Sequence, residues 1–169
     1  LASDETLSFV FEELANMPHL STIRIHTRLP VFLPSRFTSE LLGILQKNRL
    51  KRVLVAHVNH AAELDDESKK VFENLRAAGW TLLSQSVLLR GVNDKADILE
   101  DLSNRLFAQG VLPYYLHQLD RVSGSAHFEV PEAEGKDLIG ELLARLPGYL
   151  VPRYVRESAG SANKLPIQR

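Results

Sequence analysis

The feature that most constrains this chain is a change of hydrophobic period that recurs along it. Stretches in which apolar residues return every three or four positions alternate with short apolar runs of strand length. Residues 4–17 read as an amphipathic helix, with Leu7, Val10, Phe11 and Leu14 on one face and Ser3 or Asp4 as its cap. LSTIRIH, residues 20–26, reads as a strand, and Pro30 and Pro34 punctuate a loop after it. Residues 38–48 return to helical spacing, with Leu41, Leu42 and Leu45 inward. RVLVAHV, residues 52–58, is short and rich in valine, as a strand buried on both faces requires. Asp65 or Asp66 caps a helix to Ala78, Gly79 ends it, and TLLSQSVLL, residues 81–89, is the next strand. Asp94 caps a helix to Gln109, ended by Gly110; VLPYYLHQL, residues 111–119, then reads as a strand with a proline near its start. The last long helix covers residues 131–146, with Pro131 in its first turn, and YLVPRYVRE, residues 149–157, is a final extended piece.

A helix followed by four strand–helix units and a closing strand predicts an α/β fold with a parallel sheet and crossover helices. Two architectures satisfy that rhythm: an open doubly wound sheet and an arc of a βα barrel. The chain has 169 residues, enough for one domain with a real core. A formal net charge of -1 argues against a general nucleic-acid or membrane surface. Residues 1–16 hold four acids and no basic region of a signal peptide, and no apolar run is long enough to cross a bilayer. With no cysteine in the sequence, disulfides and thiolate metal sites are excluded from this chain, and the default compartment is the cytoplasm.

In parallel βα folds, chemistry gathers at the carboxyl ends of the strands. The first strand ends on His26, Thr27 and Arg28, and the second on HVNH, with His57, Asn59 and His60. The third places Gln85 and Ser86 in an aliphatic run, and the fourth ends on Tyr115, His117, Gln118 and Asp120. A buried amide such as Gln85 destabilises the fold unless it is partnered, so it bonds either protein or ligand. Four consecutive strands therefore deliver polar groups to one rim, which favours a ligand site without naming the ligand. The spacing of His57 and His60 is no zinc signature. Arg24, Arg28 and Arg36 flank LPVFLPS and read as locally paired or solvated in preference to an anion site. The sequence holds no GxGxxG, Walker loop, GxSxG or CxxC.

HVNHAAELDDE, LLSQSVLLRGVND, LPYYLHQLDRVSGSAHF and GYLVPRYVRESAGSANKLPI occur in that order along the chain. Together they resemble the C-terminal half of the lysine 2,3-aminomutase family of radical S-adenosylmethionine (SAM) enzymes. Within it they are most similar to the branch that supplies β-lysine for modifying translation elongation factor P, whose members carry RLPV, LPYYLH and a short lysine loop. The resemblance covers essentially the whole chain. It implies the C-terminal portion of a TIM-like radical SAM barrel over residues 1–148, with a segment carrying a cofactor-binding lysine over residues 149–169.

The resemblance also implies three cofactors: a [4Fe–4S] cluster, SAM, and pyridoxal phosphate (PLP) held as a Schiff base on a lysine. Lys164 falls on that lysine, at the end of the small-residue run SAGSAN. Asp120 falls where the family binds the distal amine of its lysine substrate, and Glu157 falls where an aspartate usually serves the same amine. Gln85 matches the glutamine of an Asn-Gln pair lining the SAM and PLP region, with Ser84 in place of the asparagine. His57 and His60 match the family's H-x-N-H at the rim. The implied reaction is radical migration of the amino group that converts L-α-lysine to β-lysine. The implied partners are the lysine substrate, elongation factor P and its lysyl-transferring ligase.

The sequence departs from the family in having no cysteine for a CxxxCxxC cluster loop. The expectation is that the chain lacks the cluster-binding half, is inactive as a mutase by itself, and presents an unpaired first-strand edge prone to self-association. Two alternatives remain: a cysteine-free binding domain of the same fold, and an unrelated α/β enzyme using the His-rich rim for acid–base work.

Overall fold

The computed structural model describes residues 1–46, 49–158 and 160–167. The order is α1 (Asp4–Ala15), β1 (Thr22–Thr27), α2 (Leu29–Phe32), α3 (Ser39–Gln46), β2 (Lys51–His57), α4 (Asp66–Ala77) and β3 (Trp80–Val87). Then follow α5 (Ala96–Ala108), β4 (Leu112–His117), α6 (Glu132–Arg145), β5 (Arg153–Arg156) and β6 (Leu165–Pro166). The last two positions of the helix expected over 38–48 lie outside the described residues.

Local chemistry sets most boundaries. Ser3 Oγ accepts the Thr6 N–H at 3.2 Å and starts α1. Asp65 caps α4: its Oδ1 accepts the Ser68 N–H at 2.7 Å, while Ser68 Oγ accepts the Asp65 N–H at 2.9 Å. Gly79 and Gly110 end α4 and α5 with φ of 81° and 78°, the left-handed conformation that a residue with a Cβ resists.

Four expectations are corrected. The loop at Pro30 and Pro34 is the short helix α2 plus a 3-10 turn over Pro34–Arg36, because a proline fits the first helical turn, where its missing N–H would have no partner. Asp94 does not cap α5; Lys95 holds that position, and the Asp94 carboxylate accepts from Arg90 at 3.3 Å instead. Val10 is 40% exposed, since α1 buries only Phe11 fully, against its neighbour α3. The extended piece expected over 149–157 is not the closing strand: β6 folds back antiparallel onto β5.

The strands lie in the order β1-β2-β3-β4-β5-β6, with every pairing from β1 to β5 parallel. A doubly wound sheet needs a reversal of strand order, and none is present. Right-handed crossovers between successive neighbours put the helices on one face, the arrangement of a barrel arc. On that face Ile23, Ile25, Leu54, Ala56, Trp80 and Leu82 pack with Phe11, Leu41, Leu45, Phe72, Leu75 and Leu106. A second cluster joins Leu99, Leu116, Leu138, Leu142 and Tyr154 beneath α5 and α6. Each fully buried side chain of this size contributes about 1.5–3 kcal/mol.

The two-residue period of the strands sends the alternate residues to the opposite face. Register places His57 beside Gln85, Gln85 beside Tyr115, and Tyr115 beside Arg153. One further step along, Val87, His117 and Val155 form the next row. A register shift at Ser84/Gln85 leaves Tyr114 as an extra residue, and it seats both neighbouring tyrosines together. His26 on β1 donates from Nδ1 to Gln85 Oε1 on β3 at 3.1 Å, passing over β2. Strands two apart are separated by about 10 Å, so these long side chains meet above the strand between them. The outer edge of β1 has no strand partner among the described residues.

Candidate active site

The carboxyl ends of β1, β2 and β3 are tied together before any ligand is considered. Glu63 is one hub: its Oε1 accepts the N–H groups of Asn59 and His60 at 2.7 and 2.9 Å, and its Oε2 accepts from Arg28 at 2.6 Å. Asn93 is the other and is fully buried. Its Nδ2 donates to Asn59 O and Val87 O, both at 2.9 Å, and its Oδ1 accepts the Leu89 N–H at 2.8 Å. Asn59 Oδ1 in turn accepts from the Val87 N–H at 2.9 Å and from His57 Nε2 at 3.0 Å. Around Asn93 the partners are backbone and amide groups alone, and the charge of Glu63 is matched by Arg28, so the rim is held in place without an unpaired charge.

The position of Lys164 follows from the hairpin. Arg156 pairs with Leu165, and Val155 with Pro166. One step further in the same register, Glu157 stands opposite Lys164. Alternation puts Glu157 on the face of Val155, which is also the face of His117. Lys164 is therefore turned toward the strand ends while Ser161, Ala162, Asn163 and Leu165 around it are exposed. The turn is secured by Ser161 N–H to Ser158 O at 3.0 Å and by Ile167 N–H to Tyr154 O at 2.9 Å.

A pocket of about 530 Å³ opens at this rim, lined among others by His26, Gln85, His117, Asp120, Glu157 and Lys164. The Lys164 ammonium sits in a three-sided seat. It donates to the Glu157 carboxylate, it donates to His117 Nε2 at 3.3 Å, and it lies 5.4 Å from the centre of the Tyr115 ring. An ammonium has no lone pair, so His117 must accept through an unprotonated Nε2. Burial first, and the Lys164 charge second, push the His117 pKa down to about 4, against the opposing pull of Glu157 and Asp120. Lys164 also holds Glu157 below the usual carboxylate range. Burial lowers the pKa of His57 as well. Gln118 is fixed on the pocket wall: it accepts from the Tyr154 hydroxyl and donates to Val130 O at 2.8 Å. Burial raises that hydroxyl to a pKa of about 12.

No family model matches the chain. Curated relatives do. The chain is 46% identical to the L-lysine 2,3-aminomutase of Escherichia coli over 99% of its own length and 49% of the relative's. It is 47% identical to that of Haemophilus influenzae over 97% of this chain and 48% of the relative. Against the L-lysine 2,3-aminomutase of Clostridium subterminale it is 40% identical over 99% of this chain and 40% of the relative. The chain is a relative of the lysine 2,3-aminomutases over nearly all of its own length. It spans about half the length of the curated relatives it matches.

Of the residues singled out by resemblance to the lysine 2,3-aminomutases, Gln85, Asp120, Glu157 and Lys164 meet in one pocket. His57 and His60 do not line it. His57 is engaged with Asn59, and His60 Nδ1 accepts the Ala62 N–H at 3.0 Å as the cap of a 3-10 turn. Of the three arginines near LPVFLPS, Arg28 pairs with Glu63 and Arg36 with Asp4 at 2.5 Å, while Arg24 lies on the inner face of β1. The structure adds His26, Tyr115 and His117 to the neighbourhood of Lys164 and Gln85. Their signal was present: each lies near a strand's carboxyl end.

The pocket suits an aldehyde cofactor in three respects. It offers a primary amine, its volume lies in the range of about 300–1,000 Å³ of small-molecule sites, and the Tyr115 ring stands beside that amine. It does not suit a metal. No group of three or more His, Cys, Asp or Glu able to hold an ion occurs among the described residues, and the sequence has no cysteine to bind a cluster. No helix among the described residues is long and apolar enough to cross a membrane.

Proposed function

We propose that this chain is the PLP- and substrate-holding part of a radical SAM L-lysine 2,3-aminomutase that converts L-α-lysine to β-lysine for modification of elongation factor P. The observation that supports this most is the convergence of Lys164, Glu157, Asp120 and Gln85 at the carboxyl ends of a parallel barrel arc. PLP, when bound, supplies a carbonyl that links to amines and a ring over which an unpaired electron spreads. Lys164 provides the anchoring amine at the pocket wall. Asp120 and Glu157 receive the distal ammonium of the substrate. His26 holds the oxygen of Gln85, so the Gln85 amide turns its N–H donors to the ligand. The rigid Asn59–Asn93 rim keeps these groups in register, which is the protein's main contribution to such chemistry.

SAM and the [4Fe–4S] cluster belong to the full-length protein, and with no cysteine here the cluster ligands must come from outside this chain. By itself the chain is inactive as a mutase. Its setting is the cytoplasm, its partners are lysine, elongation factor P and the lysyl-transferring ligase, and the open β1 edge offers a route to self-association. The test is an assay of the full-length gene product with PLP, SAM and a reductant. The wild type forms β-lysine from L-lysine and Lys164→Ala forms none. A Lys164→Ala variant with wild-type turnover would sink the proposal.

A further inference from the structure

The seat around Lys164 has the composition of a binding site for a primary ammonium: one carboxylate, one neutral imidazole acceptor and one aromatic face. It already holds an ammonium, and that ammonium is the chain's own. Glu157 has no other ion-pair partner among the described residues than Lys164 and the neutral His117, whose Nδ1 stands 3.9 Å away. Asp120, on the same pocket, has no ion pair among the described residues. Of the neighbouring cations, Arg121 pairs with Glu129 and Arg156 with Glu132, while Arg24 and Arg153 stand by Tyr115. In the free chain, then, one carboxylate of the pocket is satisfied internally and one stands open.

We infer that Glu157 is an alkylammonium subsite occupied by Lys164 in the free protein, so that an external amine gains it only after the Lys164 amine has been withdrawn. Withdrawal has an obvious chemical route, and here the inference rests on the reading of Lys164 as a cofactor anchor. The ammonium condenses with an aldehyde: a C=N bond forms, the aldehyde C=O bond breaks, and one water and one proton leave. Nitrogen then keeps no hydrogen, and the free ammonium is gone. Glu157 then faces the pocket without a partner, next to Asp120. A ligand ammonium that met one open carboxylate before condensation meets two after it. Loading of the aldehyde and binding of an amine are thereby coupled, and the coupling is reciprocal. The order of assembly follows from the hairpin register that puts Glu157 opposite Lys164.

The test needs no cofactor. The intact protein is stripped of PLP, and 1,5-diaminopentane is titrated calorimetrically into the wild type, Lys164→Met, Lys164→Gln and the double variant Lys164→Met/Glu157→Gln. Removing one cation within contact distance of the carboxylate strengthens diamine binding about tenfold or more in both single variants, in line with a charge pair of contact separation in a wet pocket. The double variant returns to wild-type affinity or below. Circular dichroism verifies that each variant is folded, and the glutamine variant serves where methionine disturbs the hairpin. If folded Lys164→Met and Lys164→Gln bind the diamine no tighter than the wild type, or if Glu157→Gln leaves the gain intact, the inference is overturned. Failure of Lys164 to take up an aldehyde would be seen separately, by labelling, and would leave this binding result standing.

Discussion

Replacing Lys164 with methionine should raise the pKa of His117. Burial and the Lys164 charge push its pKa from an ordinary 6.5 down to about 4, on the order of 3 kcal/mol between its two protonation states. Burial is the larger cause and survives the substitution. The Lys164 charge, 3.3 Å from Nε2, is the next. Coulomb's law at that separation with water-like screening gives about 1.3 kcal/mol, or about one pH unit. His117 in Lys164→Met should therefore titrate near 5, still short of the ordinary value. The assay is a two-dimensional NMR titration of the six histidine rings, with His117→Gln assigning the resonance. The same shift has a thermodynamic face. The folded-state pKa lies below the unfolded one, so between pH 6.5 and 4 the unfolded chain binds a proton that the folded chain refuses. Stability from neutral His117 is full above about pH 6.5 and drains away as pH falls toward 4, by no more than about 3 kcal/mol. Lys164→Met reduces that loss by about 1 kcal/mol. If His117 fails to move upward, Lys164 does not stand beside it in solution and the seat described above is wrong.

Asn93→Ala removes three hydrogen bonds from a fully buried junction and should destabilise the protein by about 3 kcal/mol in urea unfolding; a loss below 1 kcal/mol would mean the rim is not held there. Gly135 lies against the Tyr154 ring, where an added Cβ has no room, so Gly135→Ala should cost about 2 kcal/mol and release Gln118 from the Tyr154 hydroxyl. Unchanged thermal stability in Gly135→Ala would contradict that packing. Glu63→Gln should leave the strands folded but loosen the turn after β2, read as faster amide exchange at Asn59 and His60; unaltered exchange at both would show that Glu63 is not the tie.

The sheet was legible because buried parallel strands such as RVLVAHV are compact and unmistakably apolar, and because Gly79 and Gly110 mark helix ends with a conformation other residues resist. Strand order was not legible: the same rhythm serves a doubly wound sheet and a barrel arc, and only pairing decides between them. The residues of the pocket could be named one by one, since strand ends are where polar side chains gather. Their meeting could not, because β6 is two residues long and carries Pro166, and nothing in that composition announces a strand. Asn93 was hidden for a different reason. In sequence it sits in an ordinary turn, and its three bonds run to backbone groups at and beyond the ends of two separate strands.

The central claim is that Lys164 anchors an aldehyde cofactor, and borohydride reduction of the intact protein incubated with PLP tests it most directly. Peptide mass mapping should find the pyridoxyl group on Lys164, with labelling abolished in Lys164→Met. Label on another lysine, with Lys164 unmodified, would contradict the account.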